Sequence, residues 1–318
     1  MTEEIPNLDL PDPEATAEAL RQALGKMPRP LFAVLDGGLF DDLPGDLTRK
    51  NIACRSLFLD HADKDIELAG PWLVALVDDD TLNHVADLAL AKPCAVFWSC
   101  PGGDMALWRH LRTINEILIP AETASGEGIG ERPSGEFRRV LFRHWDPNVF
   151  ASVLPLLSGA QFARVFGPAE VILMNAPDYG GLKRATKRTD WPEPARGLLR
   201  IESDQIGRLQ EVMVHSSRLR IARYLKENIP PNPPGISDET AWRATLANEK
   251  TSHQLGIQTE AGKARWAYLN IVSDNKATEI PEIRRYIQNG EESPDEQVRS
   301  LMRHTIDALR TYGKGVPA

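Results

Sequence analysis

Five strand-sized apolar runs, each closed by turn residues or followed by a helical pattern, constrain this chain more than any other feature. LFAVLD (31–36) stops at Gly37-Gly38, and PWLVALV (71–77) stops at Asp78-Asp79-Asp80. CAVFWS (94–99) stops at Pro101-Gly102-Gly103, RRVLFRHW (138–145) runs into Asp146-Pro147, and VILMNA (171–176) precedes Pro177. Runs of this length read as strands buried on both faces. Between them lie patterns with helical recurrence: TLNHVADLALAK (81–92), a stripe of Leu107, Leu111, Ile114 and Leu118 starting at Asp104, and a segment from Pro147 to about Leu157. Strands interleaved with helices predict an α/β lobe.

The pattern changes after residue 176. Pro177, Gly180, Gly181, Pro192, Pro194 and Gly197 fall within 21 residues, which reads as a linker over 177–197. Beyond it only helical patterns remain, at 203–225, 238–255, 259–272, 280–289 and 295–310, with a Pro-rich break IPPNPPG at 229–235. The expected fold class is therefore an α/β N-terminal lobe, a mixed sheet with flanking helices, followed by an all-helical C-terminal lobe. The expected boundaries are an acidic tail and short helix (1–27, with the helix near Glu14–Lys26), the α/β lobe (28–176), the linker (177–197) and the helical lobe (198–318).

Charge narrows the function classes. Residues 31–175 hold 12 Lys/Arg against 20 Asp/Glu, and residues 198–318 hold 17 against 16, so the net −8 sits in the first lobe. Phosphate backbones demand the opposite sign, which argues against nucleic-acid binding. The basic cluster Lys183, Arg184, Lys187 and Arg188 lies in the Gly/Pro-rich stretch and reads as a solvated loop. No apolar run approaches the ~20 residues of a membrane span, and MTEEIPNLDLPDPEA lacks the basic and apolar regions of a signal peptide. A cytoplasmic location without membrane insertion is expected.

Catalytic signatures are scarce. Cys54, Cys94 and Cys100 show no metal or disulfide spacing, and His61, His84, His110 and His144 are scattered singly. Ser125-Gly126-Glu127-Gly128-Ile129-Gly130 follows a helix rather than a strand and carries a carboxylate, so it reads as a loop rather than a phosphate cradle. The strongest enzymatic alternative is a metal-dependent hydrolase or nuclease using Asp36 with Asp78, Asp79 and Asp80, carboxylates at the C-terminal ends of two strands. Against it, Asp78–Asp80 also suit a helix cap, and no nucleophile or base stands beside them. Catalytic, metal and cofactor-binding residues are all expected to be none.

The run Phe142-Arg143-His144-Trp145-Asp146-Pro147 is the most distinctive stretch. Asp146 suits an N-cap, Pro147 the first helical position, and Arg143 a carboxylate partner that would lock the corner. Strand alternation would send Arg143 and His144 to opposite faces. The corner, together with the order LFAVLDGG, PWLVALV, CAVFWS, LWRHLRTI, VLFRHWDPNVFASVLPLL and FARVFGPAEVIL over residues 30–175, resembles the type VI secretion effector-chaperone family. That family was first catalogued as a domain of unknown function and later called Tap-type adaptors. Its hallmark, Arg-Phe/His-aromatic-Asp-Pro before a leucine-rich helix, maps onto Arg143, His144, Trp145, Asp146 and Pro147. The resemblance implies a non-catalytic adaptor that binds the N-terminal region of a cognate effector toxin and loads it onto the valine-glycine-repeat spike protein, VgrG. It departs from the family at His144, where Phe or Tyr is commoner, and at Asn148, where a basic residue is frequent. Asp36, His144 and Asn148 are accordingly candidate partner contacts, beside the corner residues Arg143, Trp145, Asp146 and Pro147.

Overall fold

The computed structural model describes residues 5–9, 11–58, 63–121, 137–194, 196–229 and 235–313, with side chains to residue 306. The 125–130 loop, His61 and most of the 229–235 break lie outside the described residues. The chain divides into two compact units, Pro11–Met213 and Val214–Ala318 with Met1–Leu10.

In the first unit the strands are β1 (Leu31–Asp36), β2 (Cys54–Ser56), β3 (Pro71–Ala75), β4 (Ala95–Ser99), β5 (Glu116–Pro120), β6 (Phe137–Leu141), β7 (Val171–Ala176), β8 (Gly181–Thr186) and β9 (Leu199–Arg200). The helices are α1 (Pro13–Gly25), α2 (Leu43–Arg49), α3 (Lys64–Leu68), α4 (Asp79–Ala91), α5 (Gly103–Arg112), α6 (Pro147–Val153), α7 (Gly159–Phe166) and the first part of α8 (Ser203–Asn228), which continues past Met213 into the second unit. Six strands form a sheet in the order β2-β3-β1-β4-β7-β8, antiparallel at every pair. A second sheet, β6-β5-β9, joins an antiparallel and a parallel pair.

The apolar runs earn their burial on two sides. Phe32, Val34, Val96, Trp98, Ile172 and Met174 face one core, which α5, α6 and α7 also enter through Leu107, Phe150 and Phe166. Ala33, Leu35, Val74, Phe97, Val171 and Leu173 face the other, closed by Leu20 and Leu24 of α1, Leu47 of α2 and Val85 of α4. Fully burying each such large side chain stabilises the unit by roughly 1.5–3 kcal/mol. The fold class is therefore the expected one, α/β first and helical after.

Several details differ from the sequence reading. The stretch 177–197 is not a linker, because β8 pairs with β7 along its whole length from Ala176↔Gly181 to Val171↔Thr186. The helix expected from Asp104 starts at Gly103 and ends at Arg112, where the Thr113 hydroxyl donates to the His110 carbonyl at 2.6 Å, and Leu118 belongs to β5. The fourth strand ends at Leu141 rather than Trp145.

In the second unit α9 (Asp238–Gln254), α10 (Glu260–Val272), α11 (Lys276–Glu279), α12 (Pro281–Asn289) and α13 (Pro294–Gly313) pack with the latter part of α8. Ile221, Leu225, Trp242 and Tyr268 make one core and Leu255, Trp266, Ile287 and Val298 another. The N-terminal tail is part of this unit: Leu8 is buried in the first core, its amide donates to Asp238 at 3.1 Å, and Lys226 bridges Asp9 and Asp238. No described helix is long and apolar enough to cross a membrane.

Candidate functional site

The distinctive corner is built from three chain segments. β1 ends at Asp36, which is 1 % exposed; its Oδ1 accepts from the Gly38 amide at 3.2 Å and its Oδ2 accepts from Arg143 Nη2 at 2.5 Å. The turn after it passes so close to the backbone that a Cβ on Gly37 would lie 2.1 Å from the Leu68 carbonyl oxygen, so only glycine fits. The same Arg143 nitrogen reaches Asp146 at 3.4 Å, and Asp146 caps α6 by accepting from the amides of Asn148 (2.9 Å) and Val149 (3.2 Å). Burial pushes the Asp146 carboxyl above the usual range, opposed by those amides and by Arg143. Pro147 takes the first helical position, where no amide is needed. Arg143 thus ties the end of β1 to the start of α6 through one nitrogen that reaches both carboxylates.

The other corner residues turn inward. The chain bends after Leu141, with the His144 amide donating to the Phe142 carbonyl at 2.8 Å, so strand alternation no longer governs side-chain direction. His144 is fully buried among Phe142, Trp145 and Phe150. Its Nε2 lies 2.9 Å from Asn115 Oδ1, and the Asn115 amide donates to the Leu57 carbonyl at 2.9 Å. Burial pulls its pKa down to about 3, so the ring is neutral. Trp145 is buried edge-on against Phe58 at 5.8 Å. Two expected partner contacts are thereby corrected: His144 and Asp36 are too deeply buried to meet another protein. Asn148 is half-buried and accepts from the Asp178 amide at 3.3 Å, joining α6 to the turn after β7.

The proposed carboxylate cluster is not assembled. β1 and β3 are antiparallel with Asp36 opposite Pro71, so Asp36 lies at one edge of the sheet and Asp78, which follows the far end of β3, at the other. The metal reading assumed parallel strands ending together. Asp78 instead caps α4, accepting from the Thr81 amide at 2.8 Å, and this bond holds its carboxyl below the usual range. Asp79 is almost fully exposed. Among the described residues no group of three His, Cys, Asp or Glu side chains could hold a metal ion. Cys94 and Cys100 are buried free thiols, Cys94 pushed up to about 12 by burial, and Cys54 is half-buried.

What the corner does hold up is a surface that the sequence did not reveal. Leu57, Phe58, Ile66, Asn115 and Leu141 line an open cleft of about 890 Å³, together with the charged Arg112, Glu116 and Arg164. Ile66 is 44 % exposed and Leu141 55 %, high values for large apolar side chains. The back wall is fixed by the corner, through Trp145 against Phe58 and through the His144–Asn115–Leu57 chain. The only sequence signal for this cleft was apolar residues placed on the exposed side of short elements, at Ile66 in α3 and Leu141 in β6.

Residues 31–164 match the family model described as Domain of unknown function (DUF4123). No curated protein and no solved structure matches the chain.

Proposed function

We propose that the chain is a non-catalytic adaptor of type VI secretion, which binds the N-terminal region of a cognate effector toxin and delivers it to the VgrG spike protein. The observation that carries this reading is an exposed apolar cleft whose wall is held by the buried His144 and Trp145 of the Arg143-His144-Trp145-Asp146-Pro147 corner. The family-model match over residues 31–164 is compatible with it, since it covers the stretch whose motifs resemble the adaptors. A chaperone for an aggregation-prone segment needs exposed apolar area on a scaffold that does not collapse onto itself. A binding surface of this kind works through shape and burial, with neither nucleophile nor metal.

The test uses the cognate effector and VgrG co-expressed with the full chain in the cytoplasm. Ile66→Asp and Leu141→Asp place charges on positions that already face water, so each variant should melt within a few degrees of wild type. Both should lower effector recovery at least tenfold, because a buried unpaired charge at the centre of an apolar contact is costly. Full recovery of effector by both variants would remove the cleft from the binding surface; failure of the wild-type chain to recover effector at all would remove the adaptor reading.

A further inference from the structure

The basic cluster at 183–188 is not the solvated loop its composition suggested. Arg188 pairs with Asp190, and Lys187 donates to the Gly167 carbonyl at 2.6 Å. Lys183 and Arg184 lie on β8, exposed and in no ion pair among the described residues.

β8 is the last strand of the six-stranded sheet. The Lys187 amide donates to Glu170, and the register continues through Ala185↔Ile172 and Lys183↔Met174, so these residues turn their backbone groups toward β7. Alternation then turns the amides and carbonyls of Leu182, Arg184 and Thr186 away from the sheet. Among the described residues no backbone or side-chain acceptor meets those three amides.

Beside this edge lies a second apolar cleft of about 370 Å³, lined by Leu154, Phe162, Met174, Tyr179, Ala185 and Val212, and reached by β8 at Lys183 and Arg184. Met174 and Ala185 belong to the same sheet face, the one covered by α6 and α7. Leu182 packs on the opposite face, and Arg184, two residues along, shares it.

We propose that the β8 edge binds an extended peptide segment in which acidic and large apolar side chains alternate. The segment adds a strand beside Leu182–Thr186. Its apolar side chains enter the cleft, and its carboxylates meet Arg184 on the far face. Charges on an edge strand commonly serve only to keep other strands away. A purely repellent edge has no use for an adjoining apolar cleft, and here the two are continuous. A second copy of this chain is a poor occupant, since pairing β8 with itself sets Lys183 and Arg184 against their like. The pairing mode explains why both features are needed: main-chain bonds give affinity and alternate pockets give specificity. This surface stands independently of the adaptor reading.

The experiment is amide hydrogen exchange by NMR on the full chain with a ten-residue peptide alternating Glu and Leu, and with the same peptide carrying Lys for Glu. The Glu peptide should slow exchange at Leu182, Arg184 and Thr186 at least tenfold, and the Lys peptide should not. Thr186→Pro removes one outward amide without touching the bonds to β7 and should weaken binding tenfold or more. Lys183→Glu with Arg184→Glu, which leaves the ladder intact, should reverse the preference between the two peptides. Equal protection by both peptides, binding without protection of these amides, or unchanged affinity in both variants would overturn the proposal. So would protection that rises with protein concentration in the absence of peptide, which assigns the edge to a second copy, or displacement of the peptide by decanoate at equal concentration, which assigns the cleft to a small amphiphile.

Discussion

Acidification from pH 6.5 to 4.5 is expected to destabilise the N-terminal unit by about 5 kcal/mol, enough to bring a typical domain close to unfolding. Two buried histidines cause this. His144 is held down to about 3 by burial among aromatic rings, and His110 to about 4 by burial, its Nε2 lying 2.8 Å from the Val165 carbonyl. Both folded values lie below the unfolded value of 6.5, so the unfolded chain binds more protons throughout the interval. The stability these groups contribute is complete above pH 6.5 and is lost as pH falls toward the folded values. Each unmatched proton costs about 1.4 kcal/mol per pH unit, and the two together about 2.7. Asp146 works in the opposite direction, since burial raises its pKa and lets the folded state take up a proton before the unfolded chain does. Asp78 and Asp190, held low by their hydrogen bonds, titrate below the interval. Urea unfolding at pH 7, 6, 5 and 4.5 measures the slope. His144→Gln removes one titrating group while keeping an amide that can reach Asn115, and should halve it. An unchanged slope in that variant would show that His144 is not one of the groups responsible.

The parts of the fold legible in the sequence were those buried on both sides. β1, β4 and β7 are continuous apolar runs because helices cover both faces of the sheet, and they stand where periodicity placed them. β8 escaped notice because an edge strand has no such run: GLKRAT carries two exposed cations on opposite faces, and its Gly and Pro neighbours read as a linker. β5 was absorbed into α5 because Ile114 and Leu118 continue the helical spacing of Leu107 and Leu111 past Thr113, where the helix has already closed. At the corner, the local chemistry of Asp146 and Pro147 was readable, since a cap and a first-turn proline act within four residues. The partner of Arg143 was not, because Asp36 lies 107 positions away and only the strand order brings it near. Strand direction also decided the carboxylates: an antiparallel pair sends the ends of β1 and β3 to opposite edges, and no residue pattern in either strand reports its neighbour's direction. Alternation set Arg143 and His144 on opposite faces without saying which faced inward, and it lapses in any case where β6 ends three residues before His144.

Arg143→Met is expected to cost about 2–4 kcal/mol, the lower part of the range for breaking a buried ion pair, because Arg143 itself is half-exposed and partly screened. The cost arises on the other side of the bond. Asp36 stays buried with the Gly38 amide as its remaining donor, and Asp146 loses the cation that offsets its burial. Asp36→Asn should cost less, about 1 kcal/mol, because Arg143 still reaches both water and Asp146. In the double variant the buried carboxylate is gone along with its partner, so its loss should fall short of the sum of the two by about 1–3 kcal/mol, the coupling expected of residues in direct contact. For a unit of about 200 residues, each kcal/mol moves the melting temperature by roughly 2–4 °C, so thermal melts of the four proteins resolve the cycle. Arg143 does not line the 890 Å³ cleft, and effector recovery by Arg143→Met below its melting range should therefore match wild type. Strict additivity of the two substitutions would dissolve the proposed link between β1 and α6. A variant that melts like wild type yet fails to recover effector would move Arg143 from the scaffold to the binding surface.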